Sequence, residues 1–260
     1  MRELFLTEAR GFVRWLDLPG GAGQDTAGGA PARVFVHGLG CTGASDFAHI
    51  AVHPALPGRR RSLLVDLLGF GLSDRPADFD YRMESQAAVV ARILDHEGLT
   101  GVELVGHSMG GAVAIRLAAA RPDLVDRLVV AEPNLAAGGG AFSGPVAAQD
   151  EDAFVREGFA AMVAGADRAD YAARLRLADP RAVHRSAVAL VEGAVPSEGE
   201  LLAALRRPRA FLVGELSLPD ADAERVAGFG IPVLPVPGAG HNMMIDNPDG
   251  FALALARALA

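Results

Sequence analysis

Lysine is absent from the 260-residue sequence, so all 24 basic residues are arginine. That excludes Schiff-base catalysis and a Ser–Lys dyad, because each needs an amine that can lose its proton. Cysteine occurs once, at Cys41. With one thiol, no intramolecular disulfide and no cysteine metal cluster can form, and the expectation is a soluble, cytoplasmic protein. No uninterrupted apolar run reaches the roughly 18 residues of a membrane span. The opening MRELFLTEAR mixes charges into its apolar residues, unlike the apolar core of a signal peptide. Basic runs are equally scarce. Arg59-Arg60-Arg61 is the densest and reads as solvated loop, and with a net charge of −8 nucleic acid is not expected as a partner.

What is present is a large apolar fraction, 50% of residues, enough for one domain with a full core or one domain carrying an insertion. Residues 3–7 and 11–17 read as an opening hairpin, and the Gly-rich stretch 19–31 as a loop. Short apolar runs then recur at 32–38, 62–69, 101–108, 126–133, 209–215 and 231–238. They lack polar alternation, as strands buried on both faces do. Helical segments lie between them, among them Ser85–Glu97, Met109–Arg121 and Pro248–Leu259. Strands alternating with helices imply an α/β fold with a mostly parallel central sheet of about eight strands, whose carboxyl ends build the site. From Asn134 to Arg207 the alternation stops, and an alanine-rich, acidic, helical stretch takes over. The expected organisation is a core of 1–133 and 208–260, with a helical cap, 134–207, inserted between two core strands.

The chemistry concentrates at three strand ends. Gly106-His107-Ser108-Met109-Gly110-Gly111 follows Val102–Val105 and opens a helix, matching the G-x-S-x-G nucleophile elbow in its strand–turn–helix context. Ser108 at a helix start meets free N–H groups that favour developing negative charge. His37-Gly38-Leu39-Gly40 follows another strand, and the Leu39 and Met109 amides are the expected oxyanion hole. Gly238-Ala239-Gly240-His241-Asn242 follows the last strand and makes His241 the base. His49, His53, His96 and His184 read as surface residues, and His37 and His107 as positioning or packing members of their motifs.

These motifs, in this order, resemble the α/β-hydrolase fold superfamily over essentially the whole chain. Asp66-Leu67-Leu68-Gly69-Phe70-Gly71-Leu72-Ser73-Asp74 also resembles its D-x-x-G-x-G-x-S-D turn, with Asp66 read as the anchor. The resemblance implies a triad acid after the strand that follows the cap, where many members read G-E-x-D. Here the text is Gly214-Glu215-Leu216-Ser217, and a serine cannot carry the charge. Glu132 is the preferred replacement, since certain haloalkane dehalogenases of this fold supply the acid from that strand end. A carboxylate after buried apolar residues is also costly unless paired. Asp220 or Asp222, or no acid at all, are the alternatives, and Glu215 reads as a turn residue.

The expected function is a serine hydrolase that cleaves a small to medium apolar ester through an acyl-enzyme, without metal or organic cofactor. Gly38, His107, Phe142, Phe159, Met162 and Met243 are expected to contact the substrate, with Phe154, Tyr171 and Met244 as further apolar candidates. Rival readings are a C–C bond hydrolase, an aminopeptidase using Glu151, Asp152 and Glu157 to hold an ammonium, and a non-catalytic small-molecule receptor. A homodimer stays open.

Overall fold

A computed structural model describes residues 1–21 and 31–260, so most of the loop read at 19–31 lies outside the described residues. Eight strands form one sheet: β1 Arg2–Leu6, β2 Gly11–Leu18, β3 Arg33–Val36, β4 Ser62–Asp66, β5 Val102–His107, β6 Val125–Ala131, β7 Arg209–Gly214 and β8 Val233–Val236. Their order is β1-β2-β4-β3-β5-β6-β7-β8. β2 runs antiparallel to its neighbours β1 and β4, and every other pairing is parallel.

Successive residues of a strand point to opposite faces, and the core divides accordingly. Val34, Val36, Val65, Leu104, Val130 and Val213 belong to one apolar cluster. Phe35, Leu64, Val105, Val129 and Leu212 belong to the other. The first face is covered by α2, Met83–His96, and α3, Met109–Ala120. In α2 the apolar residues Met83, Ala87, Val90, Ala91 and Leu94 are buried, a stripe at helical spacing. The second face is covered by α1, Gly43–Ala51, which the sequence reading did not resolve, and by α11, Met243–Asp246, and α12, Pro248–Leu259.

Between β6 and β7 the chain forms α4 Ser143–Ala147, α5 Glu151–Ala153, a π-helical turn Phe154–Gly158, α6 Phe159–Ala164, α7 Ala169–Leu175, α8 Pro180–Glu192 and α9 Glu198–Ala204. α10, Ala221–Gly228, follows β7. The limits of α8 are written in its sequence. The Asp179 side chain accepts the Ala182 amide, Pro180 occupies the first turn, and Gly193 ends the helix at φ 66°. This helical stretch has no core of its own, because Leu135, Val146, Phe154, Leu175, Val183, Leu190 and Leu202 join the same cluster as the β-sheet's first face. Among the described residues, no helix is long and apolar enough to cross a membrane.

Candidate active site

The turn after β5 is as sharp as its glycines require. A Cβ at Gly106 would overlap the carbonyl oxygen of Gly110, and one at Gly110 would overlap those of Val36 and His37. Ser108 caps α3 at φ 53° and ψ −122°, a conformation that costs a non-glycine residue about 1–3 kcal/mol and concentrates at functional sites. Its amide donates to Ala131 O at 2.9 Å, which ties the elbow to the end of β6. Because His107 pairs with Ala131 in register, the next residues along, Ser108 and Glu132, emerge side by side from adjacent strands.

Glu132 has φ 40° and a largely buried side chain, 10% exposed. Both carboxylate oxygens are engaged: Oε1 accepts the Gly214 amide at 2.8 Å, and Oε2 lies 2.5 Å from His241 Nδ1. Ser217 lines the same cavity wall as this carboxylate. Burial pushes the Glu132 carboxyl up, but the hydrogen bonds from His241 and Gly214, together with the charge of His241, outweigh it and hold it below the usual carboxylate value. A carboxylate only accepts, so His241 Nδ1 carries the proton and Nε2 presents a lone pair. Nε2 has no partner among the described residues, and neither does the Ser108 side chain. Such hydrogen bonds often tighten only once substrate is bound.

The loop carrying His37 is locked from beneath. His37 Nε2 accepts the Leu67 amide at 3.1 Å, so Nδ1 donates to Gly38 O at 2.8 Å. Asp66 anchors the neighbouring turn, Oδ1 accepting the Gly43 amide at 2.8 Å and Oδ2 the Leu72 amide at 2.9 Å. Among the described residues, the amides of Leu39 and Met109 have no acceptor. Tyr171, from α7, donates its hydroxyl to Leu39 O at 3.3 Å.

A cavity of about 480 Å³ opens over these groups. Ser108, Glu132 and His241 line it, as do Gly38, Leu39, His107, Phe142 and Tyr171 among the residues the sequence singled out. Three expected substrate contacts lie elsewhere. Phe159 packs edge-on against Phe154 at 6.1 Å and, like Met162, against the core cluster. Met243, fully buried with Met244, packs against the opposite sheet face among Phe35, Phe47 and Phe251. A four-residue helix starts directly after Asn242 and turns both methionines away from the site.

The alternative acids do not reach His241. Asp220 caps α10 by accepting the Ala223 amide at 2.7 Å, and Asp222 stands in its first turn, although both line the cavity. Glu215 serves as a turn residue, its carboxylate accepting the Gly238 amide at 2.7 Å. His184 corrects its expected surface placement: it is 6% exposed, with Nε2 on Gln149 O at 2.8 Å. Pairing explains its burial, since the ring also tilts against Phe154 at 5.6 Å.

His107 has a larger part than motif spacing indicated. Its Nε2–H donates to His241 O at 2.9 Å, and the two rings lie 4.8 Å apart. Burial, helped by the charge of His241, pushes its pKa down to about 3. Unfolded, the ring takes a proton below about pH 6.5, whereas folded it stays neutral down to about pH 3. The unfolded chain thus binds more protons across that window, so this contribution to stability is complete above the window and lost as pH falls through it. In His107→Gln the urea midpoint should therefore fall less steeply with acidification than in the wild type. Parallel slopes would show that His107 titrates freely in the fold.

A scan of family models matches residues 31–186, more than half of the chain, to the alpha/beta hydrolase fold. The chain belongs to the α/β-hydrolase fold family. Among curated relatives, this α/β-hydrolase-fold protein is 41% identical over 108 residues to 2-hydroxy-6-oxo-2,4-heptadienoate hydrolase of Pseudomonas putida, 41% of this chain and 38% of that protein. It is 40% identical over 112 residues to lipase LipV of Mycobacterium tuberculosis, 42% of this chain and 40% of that one. The matched stretches thus span well under half of the curated relatives' length. Among solved structures, an esterase from Exiguobacterium antarcticum superposes with a TM-score of 0.81 at 18% identity, covering 99% of both chains. At that identity the likeness concerns the fold alone.

Proposed function

We propose that this protein is a serine hydrolase acting through an acyl-enzyme on a small to medium ester with an apolar acyl chain. The observation that carries the reading is the strained Ser108 beside a His241–Glu132 pair whose free nitrogen is Nε2. In the proposed reaction Ser108 Oγ attacks the ester carbonyl while His241 Nε2 takes its proton. The oxyanion forms against the Leu39 and Met109 amides, groups that need no reorganisation at that moment. His241 then protonates the leaving alcohol, and a water activated by the same nitrogen releases the acid. Glu132 keeps the imidazole in the right tautomer and stabilises its charged form. Residues 134–207 act as the cap, with Phe142 and Tyr171 contributing apolar wall. The cavity volume falls in the range of small-molecule sites, and a net charge of −8 suits a small neutral ligand better than nucleic acid. The lone cysteine fits a cytoplasmic setting.

Local identity to a dienoate hydrolase supports a second reading, C–C bond cleavage with the same three side chains. Glu151, Asp152 and Glu157, the acids offered to an aminopeptidase's substrate ammonium, do not line the cavity, and Glu151 is held by Arg185 at 2.8 Å and by Arg181 at 3.3 Å. A fluorophosphonate probe should label the wild type at Ser108, and p-nitrophenyl esters from acetate to octanoate should be hydrolysed with a short- to medium-chain optimum. A chain that neither takes the probe nor turns over any ester is not a serine hydrolase, and the receptor reading would replace it.

A further inference from the structure

We infer that the cavity admits neutral and cationic acyl substrates and rejects those carrying a carboxylate. The inference rests on the ester-hydrolase reading and concerns the charge of its substrate. Among the described residues, no arginine lines the cavity, and the sequence has no lysine to supply a cation instead. Three carboxylates do line it: Glu132, Asp220 and Asp222.

The nearby arginines are turned to other partners. Arg174 is buried in α7 with its guanidinium on Asp46 at 3.0 Å and on Asp170 at 3.0 Å. Arg168 pairs with Asp246 and with Asp170. Of the two imidazoles in the wall, His107 brings no charge. It is 2% exposed and donates through Nε2 to His241 O, so it has no N–H left to offer an anion.

Of the three acids, Glu132 is paired with His241, while Asp220 and Asp222 have no ion pair among the described residues. Asp220 is oriented by the Ala223 amide at the start of α10, and Asp222 has no hydrogen bond or ion pair among the described residues. Burial and the charge of Asp220 raise the Asp222 carboxyl against the attraction of Arg225, whose guanidinium lies over the Phe229 ring at 5.8 Å and forms no ion pair with Asp222 among the described residues. A substrate carboxylate entering here would surrender its hydration to a wall of acceptors and like charges, with nothing to replace it. A neutral chain meets no such opposition, and an ammonium is attracted.

The test compares p-nitrophenyl pentanoate with mono-p-nitrophenyl glutarate, which places a carboxylate at the end of a chain of the same length, and with p-nitrophenyl 4-(trimethylammonio)butanoate. For the wild type, kcat/KM for the glutarate should lie ~100-fold below the pentanoate, a difference of about 2.7 kcal/mol in transition-state stabilisation. The trimethylammonio ester should match or exceed the pentanoate. Asp222→Asn should narrow the neutral-to-anionic ratio, and Ala136→Arg, which places a cation in the exposed wall, should narrow it further. Added salt should narrow it as well. Equal turnover of all three esters, with Ser108 still labelled by fluorophosphonate, would overturn the selectivity and leave the hydrolase reading intact. Absence of both labelling and turnover would remove the two together.

Discussion

Ser108→Ala should lower kcat for p-nitrophenyl esters by ~10⁶-fold and Glu132→Gln by ~10⁴-fold, each with KM within a few-fold of the wild type. The serine loss removes the bond-forming atom and leaves only the oxyanion amides and the cavity. The glutamine keeps the shape of Glu132 but offers Nδ1 a neutral partner, which permits the wrong imidazole tautomer and leaves the imidazolium unbalanced. Fluorophosphonate labelling should vanish in the first variant and slow in the second. Asp220→Asn belongs in the same series as a control on the acid, because the Asp220 side chain is committed to capping α10. A Glu132→Gln enzyme as active as the wild type would remove Glu132 from the mechanism, and a collapse in Asp220→Asn alone would move the acid there.

Arg174→Met should destabilise the fold by about 3–5 kcal/mol, because it leaves a buried charge without its partner. Asp46 is 1% exposed in α1 and Arg174 6% exposed in α7, and their 3.0 Å contact joins the sheet-side helix to the helical stretch between β6 and β7. Burial raises the Asp46 carboxyl despite the attraction of Arg174, and buried ion pairs as a class add little net stability because desolvation offsets their attraction. The double variant Asp46→Asn/Arg174→Met should accordingly recover most of the loss, read as the urea midpoint of the three proteins. Activity should report on the same contact. Tyr171, on α7, holds Leu39 O, and Arg168, just before α7, pairs with Asp246, which accepts the Gly240 amide at 3.0 Å beside His241. Loss of the Arg174 anchor should therefore lower kcat more than it raises KM. Additive single variants, with the double as unstable as their sum, would show that the two groups do not interact.

Much of the fold was legible because its signals are local. Unalternated apolar runs gave the parallel strands, and the sharp glycine turn fixed where Ser108 stands. Glu132 was legible for an energetic reason, since a carboxylate after Val129-Val130-Ala131 requires a compensating partner, and that partner is His241. The direction in which a side chain leaves a short loop was not legible. Met243 and Met244 are one and two residues from Asn242, yet the turn of α11 sends both to the far face of the sheet. Phe159 and Met162 share the composition of a pocket wall and the environment of a core. The Asp46–Arg174 pair was hidden by distance, its members being 128 positions apart and neither standing in one of the motifs. α1 is short, and His37-Gly38-Leu39-Gly40 drew attention to its amides rather than to the helix that follows.

Glu132 leaves β6 one residue after Ala131 and accepts the Gly214 amide from the end of β7, while Ser108 leaves β5 one residue after His107. Both side chains are thus carried on one hydrogen-bonded sheet, and the imidazole of His241 alone arrives on a loop. Groups mounted on strands hold their positions more tightly than groups mounted on loops. Any looseness in the site is thereby concentrated in the segment that carries His241.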